Sequence, residues 1–339
     1  MKTHLLTFTA PRRVQIIEHT LPFPGEGEVL VQTLFSAISP GTEMLVYRGQ
    51  FPKDVPIDAC FPGMNETFQY PIAYGYACVG QVLHVGPQVP ADWKGRLVFA
   101  FQPHCSFFVT PYQTLIPLPE NISPETACFL PQAETAVNLV QDAAPLLGER
   151  VLVLGQGIIG LLVTALLQQF PLETLVTTDL YPLRRAASRA LGVSFALDAS
   201  DPNLNDLLRQ ALPSGADLTL EVSGSPLALN TAIEHTTFSG RIIIGSWYGE
   251  KTAELYLGGK FHRNRLQLLS SQVSTIRPEL SARWDKTRRF AIVWDILSKI
   301  QPERWITHRF PMTQAAKAYQ LLDKQPQQTL QILLEPNLI

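Results

Sequence analysis

Val151-Leu-Val-Leu-Gly155-Gln-Gly157-Ile-Ile-Gly160-Leu-Leu-Val-Thr-Ala-Leu-Leu167 decides how this 339-residue chain folds. Four apolar residues suited to a buried strand run into three spaced glycines, and an apolar helical run follows without a break. The first glycine permits a tight turn, the second lets backbone approach a pyrophosphate, and the third allows close packing of helix on strand. An anion would sit against the backbone of Gly157, Ile158 and Ile159, where unpaired N–H groups and the helix dipole favour negative charge. Three spaced glycines also occur in ordinary turns, so the next strand matters. The next strand ends in Asp179, 19 positions after Gly160, near the spacing of about 20 for a carboxylate that accepts hydrogen bonds from an adenosine ribose. That carboxylate would repel a 2′-phosphate, so NAD is expected, while Arg184 and Arg185 keep NADP open. The alternative is an ordinary strand-helix-strand turn with a capping Asp.

Working outward, short apolar strands alternate with helices from about Ser123. The strands are Val151-Leu-Val-Leu, Thr174-Leu-Val-Thr-Thr, Leu218-Thr-Leu-Glu-Val, Arg241-Ile-Ile-Ile-Gly and Leu266-Gln-Leu-Leu-Ser, with a weaker one around Phe195. This pattern predicts a doubly wound parallel sheet covered on both faces. Before it the chain is β-rich: Glu28-Val-Leu-Val-Gln-Thr-Leu, Cys78-Val-Gly-Gln-Val-Leu-His-Val-Gly, Arg96-Leu-Val-Phe and Phe107-Phe-Val-Thr, separated by Gly and Pro, predict a small antiparallel barrel or sandwich. After Ser281 come a helix over Lys286–Lys299, a strand at Ile306-Thr-His-Arg-Phe, a helix over Gln314–Leu322 and a strand at Leu330-Gln-Ile-Leu-Leu, a tail expected to return to the first domain. The expected division is residues 1–130 with 279–339, and 131–278.

Composition sets the remaining bounds. Hydrophobic residues make up 46% and charged residues 17%, as in a globular chain with two cores. A formal charge of −2 gives no electrostatic reason to expect nucleic acid or an anionic membrane. The cluster Arg283, Lys286, Arg288 and Arg289 reads as a solvated helix face. No apolar stretch approaches a membrane span or a signal peptide, so a cytoplasmic protein is expected. Cys60, Cys78, Cys105 and Cys128 are too scattered for a zinc cluster or a disulfide scaffold, and read as free buried thiols.

The order of motifs resembles the medium-chain dehydrogenase/reductase superfamily over essentially the whole chain. Beyond the glycine turn, the matching segments are Pro22 to Glu28 with Val29-Leu-Val, Gly41-Thr-Glu, Tyr47-Arg-Gly, Pro71-Ile-Ala-Tyr-Gly75-Tyr76, Lys94-Gly-Arg-Leu-Val, Leu118-Pro-Glu-Asn-Ile-Ser-Pro-Glu, Glu221-Val-Ser-Gly and Thr307-His-Arg-Phe-Pro. Ser39-Pro-Gly41-Thr42-Glu43, Pro62-Gly-Met64 and Tyr70-Pro-Ile-Ala-Tyr-Gly75-Tyr76 are similar to a zinc-lacking branch that includes bacteriochlorophyllide a dehydrogenase. The resemblance implies a GroES-like β-rich catalytic domain plus a Rossmann domain, a homodimer, and NAD(P)-dependent oxidoreduction of a small molecule. Where zinc-containing members carry ligands, this chain has Pro40, Tyr76-Ala77, and Leu130 or Pro131. The structural-zinc lobe is reduced to Phe101-Gln-Pro-His-Cys105-Ser, so no zinc is expected. An improvised set of His104, Cys105 and Cys60 is the alternative.

Without a Lewis acid, hydrogen-bond donors must stabilise charge on the substrate oxygen. The resemblance places Thr42 and Tyr76 there, with Glu43 supporting the loop. The alternatives are that Thr42 caps the following helix and Tyr76 only fills space. The resemblance also implies Thr135, Ser223 and Ser246 among the cofactor-binding residues, beside Gly155, Gly157, Ile158, Ile159, Gly160, Asp179 and Arg184. The activity expected is hydride transfer between nicotinamide and a secondary alcohol or ketone of a larger metabolite. The competing expectations are a zinc-free quinone or enoyl-type double-bond reductase, and an NAD(P)H-binding sensor without turnover.

Overall fold

The computed structural model describes residues 1–52 and 68–336. Cys60, Pro62-Gly-Met64 and most of the Pro- and aromatic-rich stretch after Phe51 lie outside the described residues. The chain forms two compact units, Met1–Pro131 with Trp294–Ile339, and Gln132–Val293.

The first unit opens with strands β1 (Lys2–Ala10), β2 (Arg13–Thr20) and β3 (Glu28–Ile38), helix α1 (Thr42–Arg48), and strands β4 (Ile72–Ala73), β5 (Cys78–Val85), β6 (Leu97–Ala100), β7 (Phe107–Pro111) and β8 (Ile116–Pro117), then helix α2 (Pro124–Ala127). The second unit takes most of helix α3 (Leu130–Ala143), then β9 (Arg150–Leu154), α4 (Ile158–Leu167), β10 (Thr174–Asp179), α5 (Pro182–Ala190), β11 (Phe195–Asp198), α6 (Leu204–Ala211), β12 (Ala216–Glu221), α7 (Ala228–His235), β13 (Thr236–Ile244), β14 (Gln267–Ser270) and α8 (Pro278–Ser281). Helix α9 (Lys286–Ile300) leads to β15 (Ile306–Pro311), α10 (Ala315–Lys324) and β16 (Gln331–Glu335).

In the structure the stretch that joins the first unit begins at Trp294 rather than at residue 279. β16 pairs antiparallel with β3, Ile332 opposite Ile38 and Leu334 opposite Ser36, and closes a seven-stranded sheet in the order β15-β16-β3-β5-β6-β8, with β7 on β3. A separate sheet, β2-β1-β4, packs Leu6 and Phe8 against Met44 and Tyr47 of α1 and Tyr319 of α10. This buried cluster fixes α1 and the loop before it. It matters because α1 carries the sequence-selected Thr42 and Glu43.

The second unit is a six-stranded sheet, parallel throughout, in the order β11-β10-β9-β12-β13-β14. The order reverses between β9 and β12, and the crevice beyond the carboxyl ends of these strands is where open sheets of this kind bind ligands. Leu152, Leu154, Val176, Leu208, Ile233 and Ile242 are buried in its core, which explains the almost unbroken apolar runs of the central strands.

The expectation of a solvated basic face on α9 is corrected at Arg289, which is fully buried. Its guanidinium donates to Glu134 Oε1 at 2.7 and 3.0 Å and to Asn138 Oδ1 at 2.6 Å on α3. It also donates to the carbonyl oxygens of Val273 at 2.5 Å and Thr275 at 3.3 Å. A buried guanidinium is tolerated because its donors are met by a carboxylate, an amide and two carbonyls.

Candidate functional site

In the second unit the glycine turn has a separate physical reason for each glycine. Gly155 sits at φ +98°, and a Cβ there would lie 2.5 Å from the Ser223 Cα. A Cβ on Gly160 would lie 2.0 Å from the Gly155 carbonyl oxygen. Both are forced by the fold. Gly157 is different: among the described residues a Cβ there would meet only Arg184 Nη1, at 3.9 Å. Space above the middle glycine is therefore left for something that approaches the backbone. Gly157 is also the N-cap of α4 and offers no side-chain cap, so first-turn N–H groups face that space without a side-chain acceptor.

Asp179, only 6% exposed, accepts from the Gln156 amide at 2.7 Å through Oδ2 and from the Tyr181 amide at 2.9 Å through Oδ1. It ties the glycine turn to the end of β10 and retains lone pairs for a ribose hydroxyl. Arg184 lies over the Tyr181 ring at 4.8 Å with Nη1 3.9 Å from Asp179 Oδ2. Its Nε is buried with no partner among the described residues. Arg185 is committed elsewhere, donating to the carbonyl oxygens of Asp179 and Leu180 and pairing with Asp198 at 2.8 Å. Of the two arginines, only Arg184 stands beside the glycine turn.

Across the sheet's switch point, the fully buried Glu221 ends β12. It accepts from the Ser223 amide at 2.8 Å, from the Ser223 hydroxyl and from the Tyr248 phenol at 2.6 Å. Burial, then the neighbouring Glu221 charge, pushes the Tyr248 phenol far above its ordinary range, so it remains a donor. Ser246 Oγ accepts from the Gly224 amide at 2.9 Å. The bond from the Gly224 amide to Ser246 joins the loops after β12 and β13, and the Val222–Ser223 backbone forms the floor under Gly155. Ile158 is buried and Ile159 half-buried at the start of α4, and Thr135 lies on α3. The residues that bear on a dinucleotide fit it: an open glycine, uncapped amides, a carboxylate at the end of β10 and a cation beside the turn.

In the first unit the sequence-selected Glu43 and Tyr76 meet in one polar cluster through Ser39, and Thr42 is Glu43's chain neighbour at the start of α1. Glu43 is fully buried, and its carboxylate accepts from the Ser39 amide at 2.8 Å, the Tyr319 phenol at 2.5 Å and His104 Nε2 at 2.9 Å. His104 Nδ1 lies 2.6 Å from Ser36 Oγ. Burial first, and then the Glu43 charge, raise the Tyr319 phenol well above its ordinary value. The Tyr76 phenol donates to Ser39 Oγ at 2.5 Å. Gly75, at φ +128°, leaves room for the His104 ring, which a Cβ would approach to 2.7 Å. The reading of Thr42 as a helix cap is corrected, because the N-cap of α1 is Gly41 and no side chain caps it. The Thr42 hydroxyl, half-buried, has no partner among the described residues.

This donor set does not suit a zinc ion. Pro40, Leu130 and Pro131 carry no ligating atom, Tyr76 offers a phenol already hydrogen-bonded, and both ring nitrogens of His104 are engaged. Cys60 of the improvised set lies outside the described residues. His104 and Tyr319 were not singled out as partners of Glu43 from sequence, because they stand 61 and 276 positions away.

Comparison with known proteins agrees with this architecture. The Zinc-binding dehydrogenase family matches residues 159–290. L-threonine 3-dehydrogenase of Photorhabdus laumondii is 23% identical over 323 residues, covering 84% of this chain and 91% of its own. Starvation-sensing protein RspB of Escherichia coli is 23% identical over 360 residues, covering 96% of each. Among solved structures, 2R,3R-butanediol dehydrogenase from Bacillus subtilis superposes with a TM-score of 0.79 at 20% identity, covering 99% of this chain and 100% of that one. RspB from Escherichia coli, complexed with NADH, gives 0.78 at 21% identity, covering 98% and 99%. At these identities the structural likeness establishes the fold.

Proposed function

From the premise that the chain belongs to the medium-chain dehydrogenase/reductase superfamily, we propose that it is a zinc-independent NAD(P)-dependent oxidoreductase acting on a secondary alcohol or ketone of a larger metabolite. The observation that carries this reading is Gly157. No neighbour among the described residues crowds that position, and it stands at an uncapped helix N-terminus beside Arg184. A dinucleotide pyrophosphate supplies the missing reason for glycine there. NADH bound to RspB in the structure named above supports the same cofactor class. Asp179 favours NAD and Arg184 keeps NADP within reach, for the reasons of charge given above.

The nicotinamide supplies hydride chemistry; this chain's residues must orient the substrate and manage charge on its oxygen. As a ketone is reduced, negative charge develops on that oxygen. The unpartnered Thr42 hydroxyl is one donor for it. The Tyr76 phenol, turned from Ser39 toward the substrate, is the second. Ser39 stays fixed through its amide bond to Glu43, so the loop keeps its shape when the phenol changes partner. Two donors replace the role that a Lewis acid holds where zinc ligands are present.

Leu269 on the edge strand β14, 42% exposed, and Phe238 at the start of its neighbour β13, 61% exposed, support a homodimer through sheet edges, which light scattering tests. No helix among the described residues is long and apolar enough to cross a membrane. The free thiols Cys78, Cys105 and Cys128 favour a reducing, cytoplasmic setting. The functional reading is tested by mixing metal-free protein with NADH or NADPH and a panel of ketones, quinones and enones, with product analysis. Ketone reduction is expected. Reduction of carbon–carbon double bonds or quinones alone would replace the reading with the reductase alternative, and cofactor binding without turnover would replace it with the sensor.

A further inference from the structure

Gln132, on the first turn of α3, is 4% exposed, yet neither its Oε1 nor its Nε2 has a partner among the described residues. Other polar side chains of the same helix are well supplied: Glu134 and Asn138 hold Arg289, and Asn138 also donates to Ser271 Oγ at 2.9 Å. A buried amide with both ends unmet is unfavourable in the free protein. Such a group calls for an account of what meets it.

The position of α3 indicates the ligand. Leu139 closes on Gly245 just beyond β13, where a Cβ would lie 2.5 Å from Leu139 Cδ2. Asn138 and, through Arg289, Glu134 hold the segment that follows β14. Helix α3 therefore flanks the carboxyl ends of β13 and β14. Asp179 and the glycine turn assign the adenosine half of a dinucleotide to the ends of β10 and β9, and the sheet order reverses between β9 and β12. A dinucleotide laid across that point carries its second half toward β12, β13 and α3.

Resting on the cofactor reading above, we propose that Gln132 recognises the carboxamide of the nicotinamide ring. The match is chemical: a primary amide facing a primary amide pairs N–H with C=O in both directions. Gln132 would orient the ring by holding its substituent, as a binding residue rather than as an acid or base. The adenosine half of the cofactor makes no use of it.

The test compares NADH with ADP-ribose, which has the adenosine, pyrophosphate and second ribose but no nicotinamide, by isothermal titration calorimetry on the full chain and on Gln132→Met. Two lost hydrogen bonds predict NADH binding weakened by roughly 10- to 100-fold, with ADP-ribose affinity unchanged. Melting of the free variant should be unchanged or higher, because a close-volume apolar side chain replaces an unmet amide. A second measurement needs no variant: the 3-acetylpyridine analogue of NADH, whose methyl replaces the amide NH2, should bind wild type less tightly than NADH and bind Gln132→Met as NADH does. Equal NADH affinity in wild type and variant overturns the proposal, as does an equal loss for NADH and ADP-ribose. If ADP-ribose fails to bind wild type, the nucleotide site itself is refuted, and this assignment falls with it.

Discussion

Arg289→Met isolates the buried ion pair that joins α9 to α3. The native guanidinium makes bonds of 2.7 and 3.0 Å to Glu134, 2.6 Å to Asn138, and 2.5 and 3.3 Å to two backbone carbonyls. Methionine occupies part of that volume and donates to none of them. Among the described residues Glu134 then keeps only Lys286, whose Nζ lies 3.6 Å away on a side chain 42% exposed. Breaking a buried pair by removing one partner costs about 3–5 kcal/mol. In a unit of about 160 residues, Gln132–Val293, each kcal/mol moves the melting temperature by about 2–4 °C, so a fall of roughly 6–20 °C is expected. Calorimetry at fixed protein concentration measures it. Adding Glu134→Leu should recover a large part of the loss, because replacing both members of a buried pair by apolar groups is close to neutral. A melting temperature for Arg289→Met within about 2 °C of wild type would refute the argument.

The remaining predictions separate fold from function residue by residue. Gly157→Ala should leave thermal stability near wild type, since the new Cβ meets nothing closer than 3.9 Å, while fluorescence titration shows NADH binding weakened about tenfold or more as the methyl enters the pyrophosphate space. Gly155→Ala should destabilise by more than about 1 kcal/mol in urea titration, because φ +98° and the Ser223 backbone both oppose a Cβ. Thr42→Val and Tyr76→Phe should each lower kcat by about 10²-fold on a ketone substrate with NADH affinity unchanged, which steady-state kinetics and titration together would show. The Asp217 carboxyl is held below its ordinary value, chiefly by its hydrogen bond from Arg150, against a smaller opposing effect of burial. Its contribution is therefore complete above the unfolded carboxyl value of about 4 and lost as pH falls through the lower folded value. Asp217→Asn should flatten the acid limb of the urea midpoint measured from pH 6 downward.

What was legible in the sequence is what local spacing encodes. The strand, glycine turn and helix at Val151–Leu167 are contiguous, and Asp179 follows at the next strand end, so one stretch of chain displays most of the nucleotide cradle. The central strands were equally plain because burial on both faces makes them apolar throughout. β1 and β2 escaped notice because β2 is largely exposed and polar, which blurs the alternation that marks a half-buried strand. The partners of Glu43 and of Arg289 were invisible for another reason: a basic cluster on a helix and a histidine in a loop look solvated until distant acids are folded against them. The two glycines at 155 and 157 show the limit most clearly. The sequence assigns them their roles only through the motif, whereas the structure shows the first required by Ser223 beneath it and the second by nothing among the described residues. A residue whose identity the fold does not require points to a ligand, and by the same logic the unmet amide of Gln132 marks the other end of that ligand.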